Sequence, residues 1–161
     1  MSASPCAATI TGAGRRMSYN GSCSSRGRRM SDLETQLFVA MFKKSPIGMA
    51  LVSPLGRFMT VNDALCALLG YPRERLLTLT FQDITHPDDL DADLTLLRQL
   101  MDGDITQYEM RKRYRHADGE LLWAQLNVSM ILGDDGGPAF FVSQIQGLPV
   151  PAPTWPAPVS G

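Results

Sequence analysis

Two turn signals in the last third of the chain constrain its fold more than any other feature. Asp118-Gly119 and the run from Gly133 to Pro138 separate three segments whose residues alternate with a period of two, the pattern of an antiparallel meander. Gln107 to His116 alternates Glu109, Arg111, Arg113 and Arg115 with Tyr108, Met110, Lys112 and Tyr114. Glu120 to Leu132 sets Leu122, Ala124, Leu126, Val128 and Met130 against Leu121, Trp123, Gln125, Asn127 and Ser129. Ala139 to Gln146 supplies the third strand. A sheet with an apolar face must be covered, so the remainder of the chain has to provide helices for it.

The preceding residues supply them. Leu33, Leu37, Phe38, Met41 and Phe42 recur on one face of a 3.6-residue repeat. Ser31 or Asp32 can cap this helix, and Ser45-Pro46 ends it because proline forces its predecessor out of the helical region. The apolar run Ile47 to Ser53, the turn Ser53-Pro54-Leu55-Gly56 and the return Arg57 to Val61 read as a hairpin. Asn62 then caps a helix over Asp63 to Leu69 that Gly70 stops, and Pro72 opens a short helical piece through Leu77. Phe81 to Thr85 leads to Pro87, which opens a longer helix through Leu90, Leu94, Leu97 and Leu100 to Gly103. The order predicts an α+β domain: one antiparallel sheet with helices inserted between its second and third strands.

Both ends differ in composition. The chain has 161 residues, with fifteen basic and sixteen acidic side chains. Five arginines and no acid fall in residues 1–31, leaving ten basic against sixteen acidic residues beyond them, so a basic tail precedes an acidic domain. Residues 1–31 have no apolar periodicity and read as disordered rather than as a targeting peptide or a nucleic-acid arm; translation starting at Met17 or Met30 instead of Met1 stays open. Five of the fifteen residues 147–161 are proline and none is charged, which reads as an extended tail. The domain itself is expected over residues 32–146. No run approaches the ~20 apolar residues of a membrane span. Cys6, Cys23 and Cys66 have neither zinc nor redox spacing, so a cytoplasmic protein is expected.

The core resembles the PAS family of sensory domains, in its bacterial sensory-box form. The resemblance rests on Ser45-Pro46-Ile47-Gly48-Met49-Ala50, Gly56-Arg57-Phe58 with Val61-Asn62, and Leu68-Leu69-Gly70-Tyr71. It continues in Phe81 to Asp89, in Glu109 with Arg111 to Tyr114, and in Asp118-Gly119-Glu120 with Trp123. It implies a five-stranded antiparallel sheet of order 2-1-5-4-3, with helices between strands 2 and 3 and a flanking N-terminal helix. It also implies a sensor that dimerises, in some members binds a small ligand, and controls a cyclic-di-GMP or kinase output domain. No such output lies in this chain, and the proline tail cannot form the charged helix that usually follows the last strand. An orphan or truncated fragment that pairs with a full-length sensor is the alternative.

Candidate sites follow from the same residues. The cup of the sheet is expected to be lined by Met49, Leu65, Leu69, Phe81, Ile84 and Leu97, closed by Met110, Leu126 and Phe141. The flavin photosensors of the family carry a reactive cysteine in the region of Phe81 to Asp89, where this chain has none, and Cys66 reads as a small core residue. His86 reads as a helix cap rather than a haem ligand, and His116 as a solvated residue beside a turn. No cofactor is predicted. Asp88, Asp89, Asp91 and Asp93 read as a solvated helix start rather than a metal site, since a calcium loop needs alternating ligands and a central glycine. Arg111, Lys112, Arg113 and Arg115, with Tyr108 and Tyr114, read as the solvated face of a strand, not a nucleic-acid surface. With no phosphate loop, nucleophile elbow or metal-spaced histidines, an enzyme is not expected. Apolar residues on both faces of the sheet predict a homodimer, or pairing with another sensor of the same kind, through the N-terminal helix and the outer sheet face.

Overall fold

The computed structural model describes residues 31–149. Its elements, in order, are α1 (Asp32–Lys44), β1 (Gly48–Val52), β2 (Phe58–Val61), α2 (Asp63–Leu69), α3 (Arg73–Leu76), α4 (Phe81–Ile84), α5 (Pro87–Met101), β3 (Gln107–Arg115), β4 (Leu121–Leu132) and β5 (Pro138–Gly147). The five strands form one antiparallel sheet in the order β2-β1-β5-β4-β3, with the helices entering between β2 and β3 as expected. The segments expected to be tails lie outside the described residues apart from their domain-side ends. At the C-terminal end the sheet runs one residue further than the sequence pattern indicates: Gly147 pairs with Ala124, and the Leu148 amide donates to the Trp123 carbonyl at 2.8 Å.

Local chemistry accounts for the boundaries. Ser31 and Glu34 form a reciprocal capping box at the start of α1. Asn62 caps α2, and Gly70 ends it at φ 75°, a left-handed conformation that glycine adopts without strain. Phe81 to Ile84 forms a helical turn that periodicity does not reveal; Thr80 and Asp83 start it with a second capping box. His86 caps α5 by accepting the Asp88 amide on Nδ1 at 3.1 Å, which bears out its reading as a cap.

The core lies between the inner face of the sheet and α2 to α5. Ala50 and Val52 of β1, Phe58 and Val61 of β2, Leu65 and Leu69 of α2, Leu76, Ile84 and Leu97 meet Ala124, Leu126 and Val128 of β4 and Phe141 and Ile145 of β5 there. The outer face differs from the expectation that apolar residues would dominate it. Its centre is a ladder of amides, with Gln144 opposite Asn127, Gln146 opposite Gln125, and Glu109 and Arg111 flanking them. Leu121 and Trp123 sit at one end of β4, and the next three residues on that face, Gln125, Asn127 and Ser129, are polar. Apolar surface gathers instead at a corner made by Leu51, Met59, Ile131, Phe140 and Val142.

One substitution pair tests the packing around α2. A Cβ added at Gly70 would strike the His116 imidazole, whereas one at Gly103, with φ 79°, meets nothing. Gly103→Ala is expected to carry only the left-handed penalty of about 1–2 kcal/mol, and Gly70→Ala a clearly larger loss, both read by urea denaturation.

A buried ion pair in the cup of the sheet

Strand β3 places Tyr108, Met110, Lys112 and Tyr114 on the inner face, because side chains alternate with a period of two. Lys112 is therefore not part of a solvated basic strip. It is 1% exposed, and so is Asp93, which α5 brings over the cup on the same face as Leu97 and Leu100. The ammonium of Lys112 donates to the Asp93 carboxylate and, at 3.0 Å, to the Thr85 hydroxyl. The other Asp93 oxygen accepts from the Tyr108 hydroxyl at 2.8 Å. Two aromatic faces complete the enclosure, with Nζ 4.5 Å from the centre of the Tyr114 ring and 5.2 Å from that of Phe81.

Burial governs the titration of this group. It pulls the Lys112 ammonium below the ordinary lysine range, against the opposing pull of Asp93. It pushes the Tyr108 hydroxyl upward, with the neighbouring Asp93 carboxylate adding to the effect, and does the same to Tyr114. Beside the pair is a cavity of about 20 Å³, lined by Val52, Phe58, Phe81, Leu97, Leu126 and Phe141 together with Tyr114 and Ser143. That volume accommodates about one water molecule.

Of the nine residues expected to line the cup, Phe81, Leu97, Leu126 and Phe141 reach this cavity. Leu65, Leu69 and Ile84 are buried in the surrounding core without facing it, and Met110 is half-buried on the inner face. Met49 points the other way, since it pairs with Gln144 on the outer face while Ala50 and Val52 turn inward.

The acidic stretch of α5 is likewise not simply solvated. The Asp89 carboxylate accepts the Arg113 amide at 2.8 Å and its guanidinium in a fork at 2.9 Å, and the guanidinium lies 5.2 Å from the Trp123 ring. These Arg113 hydrogen bonds hold the Asp89 carboxyl below its ordinary range. Arg113 also accepts the His86 amide on its carbonyl at 2.9 Å, so the start of α5 covers part of the β3 edge. Asp88 and Asp91 remain exposed. His116 is half-buried between Gly70 and Asp118 rather than solvated. Cys66 is half-buried, and burial pushes its thiol upward, away from the reactive thiolate. Among the described residues no cluster of His, Cys, Asp and Glu could hold a metal ion, and no helix is long and apolar enough to cross a membrane.

A family profile described as the PAS fold matches residues 58–145, more than half of the chain and most of the cup. This chain belongs to the PAS family. Its domain is 44% identical, over 119 residues, to "Probable diguanylate cyclase DgcE" of Escherichia coli strain K12, a match covering 74% of this chain and 11% of that protein. It is 24% identical over 92 residues to "Sensor histidine kinase TmoS" of Ectopseudomonas mendocina, covering 57% of this chain and 10% of that one. The chain thus spans about a tenth of the length of these curated relatives. In three dimensions it is similar to the PAS domain of a Colwellia psychrerythraea protein, with a TM-score of 0.66, 16% identity, and coverage of 73% of this chain and 98% of that one. The PAS domain is accordingly a sensory module of the kind found in diguanylate cyclases and histidine kinases.

Two predictions follow from the charges. Lys112→Met leaves Asp93 buried without its partner and is expected to cost about 3–5 kcal/mol, while Lys112→Met combined with Asp93→Leu recovers most of it; equal losses in the single and double variants would contradict the pairing. Asp89 has a depressed pKa in the folded state, so its contribution is present above the ordinary carboxylate pKa of about 3.9 and is lost as pH falls through the folded value. Asp89→Asn should therefore flatten the fall in stability between about pH 5 and pH 2, measured by denaturant unfolding across that range.

Proposed function

We propose that this PAS domain is a non-catalytic, cytoplasmic signal-transduction module that works by pairing with a second copy of itself through α1 and the apolar corner of the outer sheet face. It would control a cyclic-di-GMP-forming or kinase output of the kind named in its relatives. The observation that carries this reading is α1. Leu33, Leu37, Phe38 and Met41 are each more than half exposed, at 54–69%, and no residue of the helix is buried. A water-soluble helix does not keep such a stripe without a partner for it.

Charge supports a second copy as that partner. Asp32 and Glu34 occupy the first turn, Lys43 and Lys44 the last. In an antiparallel pair of α1 helices crossing near Phe38, the acidic turn of each meets the basic turn of the other, and the helix dipoles also oppose. Pairing with a full-length sensor that presents a similar helix is the alternative outcome.

A small ligand in the cup is a second reading, supported by the cavity beside the Ser143 and Tyr114 side chains. A solved PAS domain from Burkholderia thailandensis is described in complex with ethanol. Anything larger than one water requires the cup of this chain to open. Native mass spectrometry of the purified protein, with or without a retained mass, decides it.

Sedimentation at tens of micromolar is expected to show a dimer, and Phe38→Glu with Leu37→Glu a folded monomer. A clean monomer for the unaltered chain would overturn the self-pairing.

A further inference from the structure

We infer that Asn62 is the joint that fixes how α1 leaves the core, and that it thereby positions the helix for pairing; the second half rests on the reading of α1 as the pairing element. The backbone ladder of α1 has a gap at its C-terminal end. The carbonyl of Phe42, in the last turn of α1, would ordinarily accept the amide four residues on. That residue is Pro46, which has no amide hydrogen. The carbonyl is taken by the Asn62 side chain instead, whose Nδ2 donates to it at 3.0 Å and to the Ile47 carbonyl at 2.9 Å.

The other end of the same amide is equally committed. Oδ1 accepts the Met49 amide at 2.9 Å and the Leu65 amide at 3.0 Å. Asn62 is 0% exposed, and all four hydrogen-bonding positions of its side chain are used. Rotating the amide by half a turn would set donors against two amides and an acceptor against two carbonyls, so the partners fix its orientation. One side chain therefore ties the end of α1, the connection into β1, the first strand itself and the start of α2.

Little else fixes the helix. Its main neighbour is α2, and only Ala40 and Phe42 within it are even half-buried. An isolated helix of 13 residues is marginal in water. Among the described residues, the one buried side chain hydrogen-bonded to α1 is therefore Asn62, and its partner Phe42 adjoins Met41, the last exposed residue of the stripe. A signal that shifts α2 or the first hairpin reaches the stripe through this joint.

Asn62→Asp separates the two functions of the residue. A carboxylate keeps the oxygen that accepts from Met49 and Leu65, and aspartate is a good helix cap. Its second oxygen, however, faces two carbonyls and cannot donate to them when ionised. Amide hydrogen exchange at pH 7 is expected to show protection falling at least about tenfold from Met41 to Ile47, with Leu65 to Gly70 and the sheet amides changed far less. The dimer dissociation constant measured by sedimentation should rise at least about tenfold. Uniform loss of protection across the sheet and α1, or retention of α1 protection in the variant, overturns the joint. Loosening of α1 with an unchanged dissociation constant overturns its positioning role. The unaltered chain supplies a measurement independent of the variant's folding: the Asn62 side-chain amide hydrogens, which donate to the Phe42 and Ile47 carbonyls, must be protected, and exchange at the rate of a free side-chain amide contradicts the inference. A monomeric but protected wild-type chain removes the pairing reading and leaves the joint standing.

Discussion

The Lys112–Asp93 pair is the constraint around which the interior is arranged. A lysine and an aspartate can be removed from water only together, with their remaining hydrogen-bonding positions satisfied, because either one alone leaves an uncompensated buried charge. The requirement fixes β3 against α5, since Lys112 and Asp93 come from those two elements. It also draws in Thr85 at the end of α4 and the Tyr108 hydroxyl on β3. A one-residue slip of β3 would place Arg113 in the cup and Lys112 in water, so the pair specifies register as well as packing.

The same pair determines what the interior can receive. Where a binding cup would be open, the lysine side chain and its aromatic walls occupy the space, and about 20 Å³ remains. Two polar attachments hold the outward-facing elements. The start of α5 is clamped through Asp89 and Arg113 to the outer-face Trp123, and α1 is held through Asn62 with its apolar stripe uncovered. Both attachments are polar and specific, while the large apolar contacts are confined to the core. The enclosed interior and the exposed stripe of α1 thus lie in separate parts of the fold, and the Asn62 hydrogen bonds link α1 to the core.

Much of this was legible in the residues. The periods of the three long strands, the turn at Asp118-Gly119, the caps at Ser31, Asn62 and His86, and the stop at Gly70 all occur where local chemistry places them. The ion pair is hidden because the charges of Arg111 to Arg115 read as a solvated strip, whereas the period of the strand turns Lys112 inward. Alternation puts Lys112 with Tyr108 and Tyr114, and helical spacing puts Asp93 with Leu97 and Leu100; taken together, the two patterns point a base and an acid into one core. The outward direction of Met49 is hidden for the converse reason, since an almost continuous apolar run conceals which residues face inward. Asn62 announces its cap in the sequence, but its hold on α1 depends on Phe42 and Pro46 meeting it in space, and no local pattern encodes that meeting.

The state of the Lys112 side chain tests the account most directly. Nitrogen-detected or nitrogen-edited NMR of the lysine side chains at neutral pH should show one ammonium that is charged, slow to exchange its hydrogens with water and shifted apart from the exposed lysines, and Asp93→Asn should abolish that signal. A Lys112 ammonium that exchanges as fast as the surface lysines would contradict the buried pair and with it the closed interior.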